Sequence, residues 1–206
     1  LKKLHPVESI IHAMEKTSYY IINAITFYRV LAAPVLFLLI FTGQTDLFKW
    51  LLGLSFFTDA IDGYLARRYK VTSVAGARLD SLGDDLTVLA GIVGLFVLRN
   101  DFISRQYLWV AVLLVLLAIQ VSAAFWRYGK MTSFHTWLAK SAAVLQGIFL
   151  ISAFFMPEPS RLLFYMAVAV TALELLEEIV LVFLLPVWKV NIKGIYWVLK
   201  EQRERR

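Results

Sequence analysis

DAIDGYLARRYKVTSVAGARLDSLGDD, residues 59–85, sets five aspartates and four basic side chains between long apolar blocks. Asp59 and Asp62 are three apart and Asp80 and Asp84 four apart, so on helices each pair shares a face. The connector between the pairs is short and contains Gly76, so the two helices are expected side by side with four carboxylates converging at one end. Left unpaired, those charges repel each other and are costly to desolvate. Hard divalent cations remove that problem, because carboxylate oxygen is their preferred ligand. Two such ions a few ångströms apart are the usual arrangement for phosphoryl chemistry. Ion pairs with Arg67, Arg68 and Arg78 would account for a single surface aspartate, but not for four at these intervals.

The flanks decide the class. Of 206 residues 60% are hydrophobic and only 17% charged, with a mean hydropathy of +0.69. Ordinary soluble domains are about a quarter charged. Six apolar segments of bilayer-spanning length follow one another, at roughly 21–42, 46–66, 80–99, 105–126, 137–156 and 161–186. The breaks GQTD, RRYKVTSVAGAR, RNDFIS, RYGKMTSFH and PEPS are short, which makes neighbouring spans antiparallel. The expectation is an all-α polytopic membrane protein, one domain over residues 1–206. Within it, residues 1–20 form an interfacial segment, 21–186 the six spans and 187–206 a basic tail. Leu4, Val7, Ile10, Ile11 and Met14 recur at helical spacing, as in an amphipathic helix lying on the membrane. The opening LKKLHPVESIIHAMEK has neither the cleavage site nor the apolar core of a signal peptide.

Lys and Arg set the orientation. Sixteen fall in segments on the side of the N-terminus, against Lys49, Arg99, Arg105 and Arg161 on the other. Both termini and the aspartates are therefore expected to face the cytoplasm, most simply from the inner membrane. The net charge of +6 is read as a match to anionic lipid headgroups rather than to nucleic acid. With no cysteine, disulfides, thiolate metal sites and cysteine nucleophiles are excluded. Walker loops, G-x-S-x-G and H-E-x-x-H are also missing from the sequence.

Around the aspartates the small residues have a purpose. Gly63 and, one turn on, Ala66 open space beside the ligands, and Arg67 offers a planar fork suited to phosphate. Thr72 and Ser73 suit either a helix cap or a bond to phosphate or sugar. Together these residues describe a pocket for a metal-bound diphosphate.

The pattern D-x-x-D-G-x-x-A-R-x8-G-x-x-x-D-x-x-x-D is met without a gap by Asp59, Asp62, Gly63, Ala66, Arg67, Gly76, Asp80 and Asp84. It resembles the signature of the CDP-alcohol phosphatidyltransferases. Asn23, Thr26, Arg29 and Pro34 are similar to the opening of that family's first span. Asp85 departs from it, standing where Lys often follows the last Asp. The resemblance implies transfer of a phosphatidyl group from CDP-diacylglycerol to the hydroxyl of a small polar acceptor, with release of CMP. It also implies two Mg2+ or Mn2+ ions held by Asp59, Asp62 and Asp80. Asp84 would be the general base and would also touch the second metal. Gly63, Ala66, Arg67, Ser73 and Gly76 would border the cytidine diphosphate. Family members commonly form homodimers, which is the expectation here.

The acceptor is left among several. A phosphorylated polyol such as glycerol 3-phosphate, or an inositol phosphate, suits a pocket containing Lys140 and Arg127; inositol, serine and a second lipid stay open. Lys140 also reads as a snorkelling lysine, and Arg127 with Lys130 as ordinary positive-inside residues. Arg29, inside the first span, reaches either the aspartates and nucleotide or the glutamates Glu174, Glu177 and Glu178 of the last span. Those glutamates are expected to pack against another helix or a second copy; gating or acceptor choice is the alternative. A membrane transporter binding a cation with its carboxylates is the rival class.

Overall fold

The computed structural model describes residues 27–69, 74–132 and 134–204, without the side chains of residues 60, 62–69 and 74–81. The expected amphipathic N-terminal helix, with Asn23 and Thr26, lies outside the described residues, as does Ser73. The described chain is all helix, with no strand. Its helices are α1 Phe27–Phe41, α2 Thr45–Tyr69, α3 Val74–Leu98, α4 Asn100–Arg105, α5 Tyr107–Tyr128, α6 Trp137–Phe155, α7 Arg161–Leu184 and α8 Ile195–Glu204. They divide into two compact units, Leu1–Arg99 and Asn100–Arg206.

Six of these helices coincide with the six apolar segments. Two, α5 and α6, are long and apolar enough to cross a membrane by length and composition. Helices α2, α3 and α7 are as long but carry ionisable side chains within their length. In α5, Leu108, Val112, Leu114, Val115, Leu117 and Ile119 are all exposed. A contiguous apolar surface of that extent suits lipid and not water.

In the first unit, α1 ends where Gly43 adopts φ +70°, and Gln44 leads directly into α2. Ala33, Leu36 and Ile40 of α1 are buried, as are Phe48, Leu52 and Ser55 of α2 and Thr87 and Ala90 of α3. Arg29 continues the α1 stripe, Asp59 the α2 stripe and Asp84 the α3 stripe, each one turn further along. The core faces thus run directly into the charged positions. Helices α2 and α3 pack against each other, and only residues 70–73 join them.

In the second unit α7 packs against both α5 and α6. Buried Ala124, Ala142, Ala153 and Ala167 let the helices approach closely. Phe102 and Phe164 meet edge to face at 5.4 Å, closing one end of the unit. Gln146 Nε2 donates to Thr171 Oγ1 at 2.7 Å between α6 and α7. The ends follow local sequence rules. Gly129 at φ +68° caps α5, Thr136 Oγ1 accepts from Ala139 N to start α6, and Ser160 Oγ does the same for Leu163 N in α7.

Three boundaries differ from expectation. The RNDFIS break is itself the short helix α4, since none of its residues after Arg99 prevents a turn of helix. The tail after residue 187 contains α8. Helices α2 and α3 run through most of RRYKVTSVAGAR, leaving a connector of four residues. Charge ends an apolar run but does not end a helix, whose backbone bonds are indifferent to side-chain polarity.

Candidate active site

Asp59 lies ten residues before Tyr69, the end of α2, and Asp84 ten residues after Val74, the start of α3. In a pair of helices joined by a tight connector, equal distances from the turn put both positions at one level, about 15 Å from the helix ends. Asp62 and Asp80 occupy the next turns toward the connector in the same way.

Arg29 of α1 meets both carboxylates. Its Nη1 donates to Asp59 Oδ1, and its Nη2 pairs with Asp84 Oδ1 at 2.8 Å. The guanidinium is buried, 1% exposed, whereas both carboxylates are 42% exposed. A charge so deeply buried requires partners, and the planar fork can serve two carboxylates at once. Of the two readings of Arg29, the aspartates are therefore its partners.

Gly83 packs directly against this arginine, leaving room for no more than a small side chain. A Cβ there would lie 3.4 Å from Arg29 Cβ, 3.5 Å from Nε and 3.6 Å from Nη2, so α3 touches the arginine along its length. Thr87 Oγ1 bonds back to the Gly83 carbonyl at 2.8 Å. Sequence reasoning missed Gly83; a glycine directly before the last aspartate of the motif was the available signal.

The backbones of Asp62, Gly63, Ala66, Arg67, Gly76 and Asp80 lie in α2 and α3, and their side chains lie outside the described set. Among the described residues no three His, Asp or Glu side chains gather as a metal-binding group. The two described carboxylates fit a divalent ion in their donor chemistry. They are hard oxygens from two helices, converging on one guanidinium and half exposed. Among the described side chains, one guanidinium meets two carboxylates, and the donor chemistry of that pair suits a divalent ion.

Arg127 and Lys140 belong to the second unit, at the end of α5 and the start of α6. Both are exposed. Arg127 Nη2 lies 3.5 Å from the Leu185 carbonyl, and Lys140 Nζ 5.0 Å from the centre of the Trp137 ring.

Two of the three α7 glutamates, Glu177 and Glu178, bond to other parts of their own unit. Glu178 is buried, and its Oε2 accepts from Gln120 Nε2 of α5 at 2.6 Å and from Thr132 Oγ1 at 2.7 Å. Glu177 Oε1 accepts from the backbone N–H of Ile195, the first residue of α8, at 3.2 Å. Packing against another helix thus describes both. Gln120, an amide within the otherwise almost wholly apolar α5, was the overlooked sign of that contact.

The sequence pattern of the CDP-alcohol phosphatidyltransferases matches residues 19–173, which takes in α1 with Arg29 and the whole α2–α3 pair. The chain belongs to the CDP-alcohol phosphatidyltransferase family. It is an enzyme of that class, a transferase of phospholipid biosynthesis, and the transporter alternative falls away. A CDP-diacylglycerol–glycerol-3-phosphate 3-phosphatidyltransferase of Rickettsia typhi is 28% identical over 135 residues, 60% of this chain and 75% of that protein. A CDP-diacylglycerol–inositol 3-phosphatidyltransferase of Arabidopsis thaliana is 34% identical over 104 residues, 50% of this chain and 42% of its own. A fusion protein of Schizosaccharomyces pombe, a CMP-forming cardiolipin synthase joined to a mitochondrial hydrolase, is 39% identical over 62 residues, 30% of this chain and 10% of that one. No solved structure matches significantly.

Proposed function

We propose that this phosphatidyltransferase uses CDP-diacylglycerol as donor and glycerol 3-phosphate as acceptor. The observation that carries the reading is the convergence of Asp59 and Asp84 on Arg29 inside the motif helices. The acceptor hydroxyl oxygen bonds to the lipid-side phosphorus, the bond from that phosphorus to the CMP oxygen breaks, and the hydroxyl proton passes to the Asp84 carboxylate. CMP leaves and a phosphodiester lipid remains. Two Mg2+ or Mn2+ ions held by Asp59, Asp62, Asp80 and Asp84 would neutralise the diphosphate and stabilise charge on the departing phosphate. Gly63, Ala66, Arg67, Ser73 and Gly76 border the cytidine diphosphate in this reading. Arg29 fixes the spacing of Asp59 and Asp84. Lys140 and Arg127 receive the acceptor phosphate.

Glycerol 3-phosphate comes first because the Rickettsia relative is named for it and covers most of its own length. Inositol or its phosphate is the second reading, from the Arabidopsis relative.

The same proposal extends to the membrane. Helices α1, α2, α3, α5, α6 and α7 each cross the bilayer, with residues 1–20 as a surface helix, both termini and the aspartates in the cytoplasm, and two copies forming a homodimer. The distribution of Lys and Arg and the exposed apolar face of α5 support it.

The test is CMP release from purified protein given CDP-diacylglycerol, Mg2+ or Mn2+, and one acceptor at a time. Release with glycerol 3-phosphate is expected. Release only with inositol, inositol phosphate, serine or a lipid would reassign the acceptor. Loss of nothing on chelation would remove the metals.

A further inference from the structure

Helix α8 turns two different faces outward and inward. Val198 is buried, and with the partly buried Ile195 it packs into a cluster of Ala124, Phe134, Leu181, Val182, Leu185 and Ile192. Away from that cluster, positions 196, 199, 200 and 203 recur at the i, i+3, i+4 and i+7 spacing of a single helical stripe. They are Tyr196, 68% exposed, Leu199, 44% exposed, and the exposed cations Lys200 and Arg203. Glu201 falls off the stripe, whereas Glu204, one turn after Lys200, lies at its edge in a long, solvent-exposed pair with that lysine, 3.9 Å from Nζ to Oε1.

The helix is held in a fixed place. Its first N–H is capped by Glu177 from α7, and Gly194, at φ +144°, lets that carboxylate in. A Cβ on Gly194 would stand 2.9 Å from Glu177 Oε1. Just before α8, Ile192 N donates to Phe134 O at 2.7 Å, and Lys193 O accepts from Trp137 N at 3.2 Å. This fastens α8 to the end of the unit where α5 stops and α6 begins. Trp126 and Trp137 are exposed at that end, and Lys130 lies 3.6 Å over the Trp188 ring. Exposed tryptophans bordering apolar helices mark headgroup depth.

We propose that α8 is a docking surface for anionic lipid headgroups, with Tyr196 and Leu199 entering the interface and Lys200 and Arg203 pairing with lipid phosphate. The occupant follows from continuity and charge. The lipid-facing side of α5 belongs to the same unit, α8 sits at its tryptophan border, and its stripe joins apolar, aromatic and basic groups as interfacial helices do. The inference rests on membrane insertion of α5 and α6 and is independent of the acceptor.

The absence of cysteine gives a clean test. Leu199→Cys, and separately Glu201→Cys off the stripe, are labelled with an environment-sensitive fluorophore in the full chain. Single copies are placed in nanodiscs of phosphatidylcholine, with or without phosphatidylglycerol. Phosphatidylglycerol should blue-shift the label at 199 and not at 201, and salt should reverse the shift. Lys200→Glu with Arg203→Glu should abolish it; Lys200→Gln with Arg203→Gln serves if the reversal does not fold. Equal responses at both positions, or a response at 199 indifferent to anionic lipid or to the charge changes, would overturn the proposal. Failure to enter nanodiscs at all would instead strike the membrane reading beneath it.

Discussion

Arg29, Asp59 and Asp84 are three residues from three helices whose charges cannot be considered separately. Removing the guanidinium by Arg29→Ala leaves two carboxylates facing each other. Because both are half exposed, the loss should lie near the lower end of the ~3–5 kcal/mol for breaking a buried pair. Thermal unfolding in detergent reads it, and an unchanged midpoint would show that solvent already screens the pair. Arg29→Lys keeps the charge without the fork, so it should fall between wild type and Ala. Asp84→Asn is the sharper probe of chemistry. It preserves shape but cannot take the hydroxyl proton, so turnover should drop by about 10²–10⁴ while CDP-lipid binding persists. Wild-type turnover would remove Asp84 as the base.

Between elements, Gly83 sets how closely α3 can lie on α1. Gly83→Ala introduces contacts at ordinary van der Waals distance and should cost little. Gly83→Leu must move the guanidinium and should lower both stability and turnover, read by unfolding and CMP release on the same preparation. Glu178 plays a comparable part between α5 and α7. Gln120→Leu leaves its carboxylate short of a donor and should destabilise by roughly 1–3 kcal/mol. Much of this architecture was legible in the chain. The apolar runs located six helices, and the aspartate pattern on two neighbouring helices pointed to Asp59 and Asp84, which meet at Arg29. The ends of α2 and α3 were not legible, because hydropathy reports where lipid stops rather than where backbone hydrogen bonds stop. Nor was the partner of Arg29, since the candidates on α2, α3 and α7 are all carboxylates and only packing chooses among them. Helix α8 was hidden for a third reason. It is short and polar, and a cap from Glu177, eighteen residues before its first residue, supplies what its own sequence lacks.

At the scale of the whole molecule, alternation of the connectors is the testable property. Single cysteines placed at Gln44 and Glu158 should react with an impermeant reagent from one side of sealed vesicles. Those at Lys130 and Gln202 should react from the other side, the side of the N-terminus. Reaction of all four from one side would remove the proposed six-span topology without touching the family assignment. The proposed orientation rests on the distribution of positive charge in the sequence; a homodimer leaves no such mark.

The contact of Arg29 with Asp59 and Asp84 has a temporal side. Chains are made from the N-terminus, and Arg29 precedes Asp59 by thirty residues and Asp84 by fifty-five. In the proposed six-span topology the cation therefore reaches the bilayer before either anion emerges. Each aspartate, on arriving with its own helix in that topology, would find its counter-charge already in place, which lowers the cost of bringing an acid group into a span.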